Sequence, residues 1–178
     1  MNNKVKIRIP FVLVSLLAVG LLWMGISALV VHIPRYQTPE EAFNHSFTFK
    51  NVKLKEILEG DKTAMAIYSD NGVTTSRIFE KDERGWKRLP KNLFSPDKSA
   101  EYDEVYLDIR NYSGTNVISI SDLKAGENPA EIHDSIGTVF QTYSIVKDTY
   151  TIKYWFAELE KLEDDYTVFI NGNKIEFN

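Results

Sequence analysis

The sequence predicts an α+β protein, mostly antiparallel β: one N-terminal transmembrane helix, then a short helix with a β-meander, then a second, sandwich-like β-rich segment. Three observations carry that prediction. Phe11 to Val31 contains no charged side chain and directly follows Lys4, Lys6 and Arg8. From Val52 onward apolar residues recur with a period of two, as half-buried strands require. Turn signals interrupt the alternation about every ten residues, as in a sandwich or open barrel.

The apolar run comes first. A helix of that length rises about 1.5 Å per residue and spans roughly 30 Å, the hydrocarbon thickness of a bilayer. The basic cluster before it predicts a cytoplasmic N-terminus and export of everything that follows. A cleaved signal is the competing reading, but its apolar centre usually runs about 7–15 residues and ends at a small-residue site. Gly25-Ile26-Ser27 matches such a site poorly, so a retained anchor is expected. Both readings place the globular part outside the membrane.

Composition then bounds the exported part. All 25 acidic residues follow Val31 with 18 of the 21 basic ones, a formal balance of −7 that argues against nucleic acid as a partner. There is no cysteine, which excludes disulfides, thiolate metal sites and a lipidated cysteine. Stability must come from burial.

Thr38-Pro39-Glu40-Glu41 reads as a helix start: a cap, a proline suited to the first position and acids at the positive end of the dipole. The helix is expected to end near Phe47. Strands follow at Val52-Leu54, Ala64 to Tyr68, Val73 to Phe79 and Trp86 to Leu89, with hairpin turns at Asn71-Gly72 and before Gly85. The expected organisation is residues 1–35 as cytoplasmic tail and anchor, 36–90 as helix plus meander, 91–103 as a linker or long loop, and 104–178 as the second β-rich segment. In that segment Val105, Leu107 and Ile109 alternate with polar residues, as do Ile118 and Ile120. A hairpin is expected around Lys147-Asp148, leading into Tyr150 to Phe156. Glu158 to Asp165 reads as an acidic loop or helical turn, and Tyr166 to Ile170 as a strand before the turn Asn171-Gly172-Asn173.

The order Pro39-Glu40-Glu41-Ala42-Phe43, Ser46-Phe47, Lys53 to Leu58, an aliphatic strand ending in Tyr68, then Gly85-Trp86-Lys87 resembles a group of small exported proteins of Bacillus-like Gram-positive bacteria, held by a helix or a lipid and largely uncharacterised. The resemblance covers about Thr38 to Leu89 and extends only loosely beyond. It implies a membrane-tethered extracytoplasmic domain and supplies no catalytic residue.

The residues themselves point to no chemistry. His32, His45 and His133 lack partners at metal-ligand spacing, so no metal or other cofactor is expected. Asp103-Glu104 and Asp164-Asp165 are adjacent acids, whereas carboxylate hydrolysis needs two groups facing one another across a cleft. Tyr106, Tyr112, Tyr143, Tyr150, Tyr154 and Trp155 read first as strand packing. Trp155 shares a face with Thr151 and Lys153; if that face is solvated, its ring is an exposed partner surface. Three functions stand at this stage. The leading one is a non-enzymatic, membrane-anchored domain that binds another envelope protein or a cell-wall component. The alternatives are an envelope hydrolase with carboxylate chemistry and an accessory subunit of a membrane signalling or transport complex.

Overall fold

In the computed structural model, residues 34–47, 51–89, 97–123, 130–147 and 150–177 are described, and the expected anchor at Phe11–Val31 lies outside them. Among the described residues no helix is long and apolar enough to cross a membrane. The helix α1 (Pro39–Ser46) begins as expected: Thr38 Oγ1 accepts the Glu41 N–H at 3.1 Å, and Glu41 reaches back to the Gln37 N–H at 2.9 Å. Two orphan amides are thereby satisfied, which fixes the start of an otherwise short helix.

A four-stranded antiparallel sheet follows, ordered β1 (Val52–Glu59), β2 (Thr63–Asp70), β3 (Val73–Asp82), β4 (Gly85–Arg88). At the β2–β3 turn Asn71 and Gly72 take φ of 50° and 87°, the left-handed pair that matches the twist of a two-residue hairpin. Alternation splits β2 between two cores. Ala64, Ala66 and Tyr68 face α1 with Phe43, Phe47, Phe79 and Trp86, while Met65 and Ile67 face the next sheet.

The chain enters this unit through a tight join. Tyr36 and Trp86 exchange backbone hydrogen bonds of 2.9 and 2.8 Å, and a Cβ at residue 85 would stand 2.5 Å from the Tyr36 carbonyl oxygen. Glycine is therefore required at 85, where φ is also +120°. Beside it Arg35 Nε and Nη2 both donate to Asp82 Oδ2, at 2.9 and 2.7 Å. That pairing holds the Asp82 carboxyl well below the usual carboxylate range.

The central sheet is ordered β5 (Lys98–Tyr102), β6 (Val105–Tyr112), β7 (Thr115–Asp122), β10 (Tyr150–Leu159), β9 (Gln141–Lys147), all antiparallel. A small third sheet pairs β12 (Asn173–Lys174), β11 (Val168–Ile170) and β8 (Ile132–Asp134). The cores stack in order: α1 on the first sheet, the first on the central sheet, and the central on the third. Arg35–Asn178 make one compact unit.

Two expectations change. Strand β5 falls within the stretch read as a linker at 91–103. An edge strand with one covered face needs little apolar content, and here Ala100 alone is buried between polar neighbours. Strand β10 runs to Leu159, into the segment read as an acidic loop, because Glu158 has a bonded role described below.

Candidate functional site

Trp155 is 3% exposed, so the solvated face on which its role as a partner surface depended is absent, and the packing reading holds for this ring. Its strand is interior to the central sheet and covered on both faces. Tyr154 and Phe156 pack against Leu58, Met65 and Ile67, while Trp155 packs among Ile118, Ile120, Val168 and Ile170. The Lys153 ammonium lies 5.0 Å from the Trp155 ring centre. Alternation along a doubly covered strand buries both sets, a condition that strand sequence alone does not reveal.

The other sequence candidates scatter. Tyr154 and Tyr112 are buried, Tyr106 is exposed, and Tyr143 and Tyr150 are half-buried. His45 stacks on Tyr36 at 4.7 Å and His133 on Phe169 at 4.9 Å, on separate sheets. Asp134, next to His133, is buried on the opposite side of β8. Among the described residues no group of three or more His, Cys, Asp or Glu is placed to hold a metal. Asp103 and Glu104 form the two-residue β5–β6 turn, both with left-handed φ (49° and 65°). Asp164 and Asp165 are exposed and line an open groove of about 580 Å³ with Lys98, Lys174 and Glu176, a mixture of both charges.

Two further carboxylates, Glu158 and Asp134, hold the fold by accepting several hydrogen bonds each. The Glu158 side chain accepts the Asp61 N–H at 2.8 Å, the Lys62 N–H at 3.2 Å, the Thr63 N–H, and the Thr63 hydroxyl at 2.5 Å. It ties the end of β10 to the β1–β2 turn. Asp134 accepts the Tyr166 hydroxyl at 3.0 Å and the Thr138 N–H at 2.8 Å. Burial pushes the Asp134 carboxyl up, but its hydrogen bonds outweigh that and leave it below the usual value; Tyr166 is pushed strongly upward.

The surface best suited to a partner is the edge strand β9. It pairs with β10 in unbroken register from Tyr150↔Lys147 to Phe156↔Gln141. At its start the Gln141 amide donates to the Glu59 carbonyl at 2.9 Å, closing the corner against the first sheet. From Thr142 onward no other strand among the described residues pairs with its outer side. Tyr143 and Ile145 turn inward, while Thr142, Ser144 and Val146 are exposed, Val146 to 77%. Edge strands are ordinarily blunted by charge, proline or a bulge, and Gln141 to Val146 carries none of these. The sequence marks the hairpin after this strand but not its place at the sheet edge, because edge position is a property of topology. Its low charge and the β-branched Thr142 and Val146 are signals of such an edge.

No protein-family model matches the chain, and no curated protein and no solved structure matches it.

Proposed function

We propose that the chain is a membrane-tethered, non-enzymatic binding domain on the outer side of the membrane, whose β9 edge takes up an extended segment of another envelope protein. The regularly paired β9 edge, uncharged from Gln141 to Val146 and ending in Lys147, is the observation that carries the binding reading. An added strand gains main-chain hydrogen bonds along such an edge, and exposed positions such as Val146 supply side-chain selectivity. The tether and its orientation rest on the apolar run from Phe11 to Val31 and the basic residues before it. The likeness of Thr38–Leu89 to membrane-held exported proteins of Bacillus-like bacteria agrees with that placement.

The test is a photo-crosslinking residue at position 146, compared in intact cells with one at position 73, which is also exposed (69%) but on a hairpin tip. An adduct with one discrete protein from 146 and none from 73 is expected. Equal adducts from both positions, or none from 146, would contradict the reading.

One observation favours a second reading, carboxylate hydrolysis: Asp164, Asp165 and Glu176 come from different segments to line one groove. Release of soluble fragments from purified wall polymer, abolished by Asp165→Asn and Glu176→Gln, would support it; wild-type-like release by both variants would dismiss it.

A further inference from the structure

The face of the first sheet that carries α1 ends in two arginines. Arg77 on β3 stands opposite Ala66, and Arg88 on β4 stands opposite Phe79, so both point to the side that packs against the helix. Their guanidinium carbons lie 5.2 and 5.9 Å from the centre of the same Phe47 ring. Tyr68, whose ring is 4.9 Å from that of Phe47, completes the corner.

Phe47 accounts for part of this arrangement, since a cation over an aromatic face is attracted by the ring quadrupole. Arg88 Nη1 also reaches the Ser46 carbonyl at the end of α1, at 3.4 Å. Neither contact uses Arg77 Nη1 or Arg88 Nε. Both atoms are buried, and neither has a hydrogen-bond partner among the described residues. No carboxylate among them pairs with either guanidinium. Asp70, near Tyr68, is bonded by the Asn71 side chain. Burial first, then the adjacent Arg88 charge, disfavours the protonated form of Arg77. Buried donors of charged groups are normally satisfied, and two like charges held together without a counter-charge are destabilising.

We propose that Arg77, Arg88 and Tyr68 form a binding site for a small oxyanion, a carboxylate or phosphate group that presents oxygens to the unpaired edges of both guanidiniums. Guanidinium edges match the paired oxygens of such groups, and the Tyr68 hydroxyl supplies a further donor beside them. The ring of Phe47 orients the two forks by their faces and leaves the edges for the ligand. This site is independent of the β9 edge, which lies on the central sheet.

The test uses the full-length chain in a neutral detergent, labelled with ¹⁵N-arginine. Inorganic phosphate and acetate are titrated separately at pH 7 against chloride of equal ionic strength. The Nε–Hε signals of Arg77 and Arg88, assigned through Arg77→Lys and Arg88→Lys, are expected to move together and saturate with one of the two anions, identifying the oxygen group preferred. Arg77→Gln is expected to weaken that binding at least tenfold. Shifts that fail to saturate with both anions, or that persist unchanged at Arg88 in Arg77→Gln, would overturn the site. The wild-type titration stands on its own should a variant fold poorly.

Discussion

The two interfaces of the central sheet are built differently, although one strand, β10, supplies both. Toward the first sheet, Tyr154 and Phe156 meet Leu58, Met65 and Ile67; toward the third, Trp155 meets Ile118, Ile120, Val168 and Ile170. The first interface encloses a hydroxyl with no partner among the described residues, that of Tyr154, and is clasped at its margins by polar groups. Glu158 holds the β1–β2 turn, and Ser113 donates to Glu80, which also pairs with Lys87 at 3.0 Å. The second interface is more uniformly aliphatic, and its buried carboxylates, Asp122 and Asp134, accept hydrogen bonds from nearby amides. The difference teaches that the first and central sheets are clasped at their margins as well as packed, whereas the third sheet relies more on burial.

The largest effects separate the two interfaces directly. Trp155→Ala and Phe156→Ala should each cost about 3–5 kcal/mol, from lost transfer energy and the cavity left behind, measured by urea unfolding. Hydrogen exchange sharpens the comparison. Trp155→Ala should release protection mainly in β8 and β11, and Phe156→Ala mainly in β1 and β2; identical patterns would erase the distinction.

The clasp comes next. Glu158→Ala leaves the buried Thr63 donors unsatisfied and should cost about 2–3 kcal/mol. A Cβ at residue 60 would lie 2.4 Å from the Glu158 carboxyl carbon, so Gly60→Ala should displace the clasp. In a double-mutant cycle Gly60→Ala should be clearly less harmful once Glu158 is alanine. Strict additivity would show that the clasp does not act as described.

At the third sheet Asp134→Asn should cost about 1–2 kcal/mol. Because hydrogen bonds hold the Asp134 carboxyl below its unfolded value, near 3.9, the native state binds fewer protons than the unfolded one in mild acid. Its contribution is therefore full above about pH 5 and lost as pH falls through the folded value. The asparagine variant should show a shallower acid slope.

The smallest effect has the opposite sign. Tyr154→Phe should stabilise by about 1 kcal/mol, since it removes a buried hydroxyl without a partner among the described residues. Burial pushes the Tyr154 hydroxyl up to about 12. The native state thus keeps a proton that the unfolded chain loses near pH 10, and stability falls as pH rises between those values. The phenylalanine variant should lose that part of the alkaline slope.

Much of this architecture was legible wherever local chemistry decides it. Thr38 to Glu41 fixed the helix start, Asn71-Gly72 and Asn171-Gly172 fixed hairpins, and the alternation of Val105, Leu107 and Ile109 matches a strand with one buried face. The Asp103-Glu104 turn escaped notice because Glu104 is not a usual choice for left-handed φ and no glycine or asparagine marks the turn, and the polar strand β5 was hidden with it. Whether the Trp155 face was solvated stayed open in the sequence, because its burial depends on β8 and β11, brought over β10 from distant sequence. The Glu158 clasp was illegible for the same reason, since it joins β10 to the β1–β2 turn across nearly a hundred residues, whereas the arginine pair lies on neighbouring strands and was hidden only because the sequence does not show which face of β3 and β4 the helix covers.

The central claim is an outward-facing domain on an N-terminal tether. Because the chain has no cysteine, Val146→Cys gives a single reporter at an exposed position. A membrane-impermeant maleimide added to intact, wall-stripped cells should label it fully before lysis. Labelling that occurs only after the membrane is broken would contradict the account.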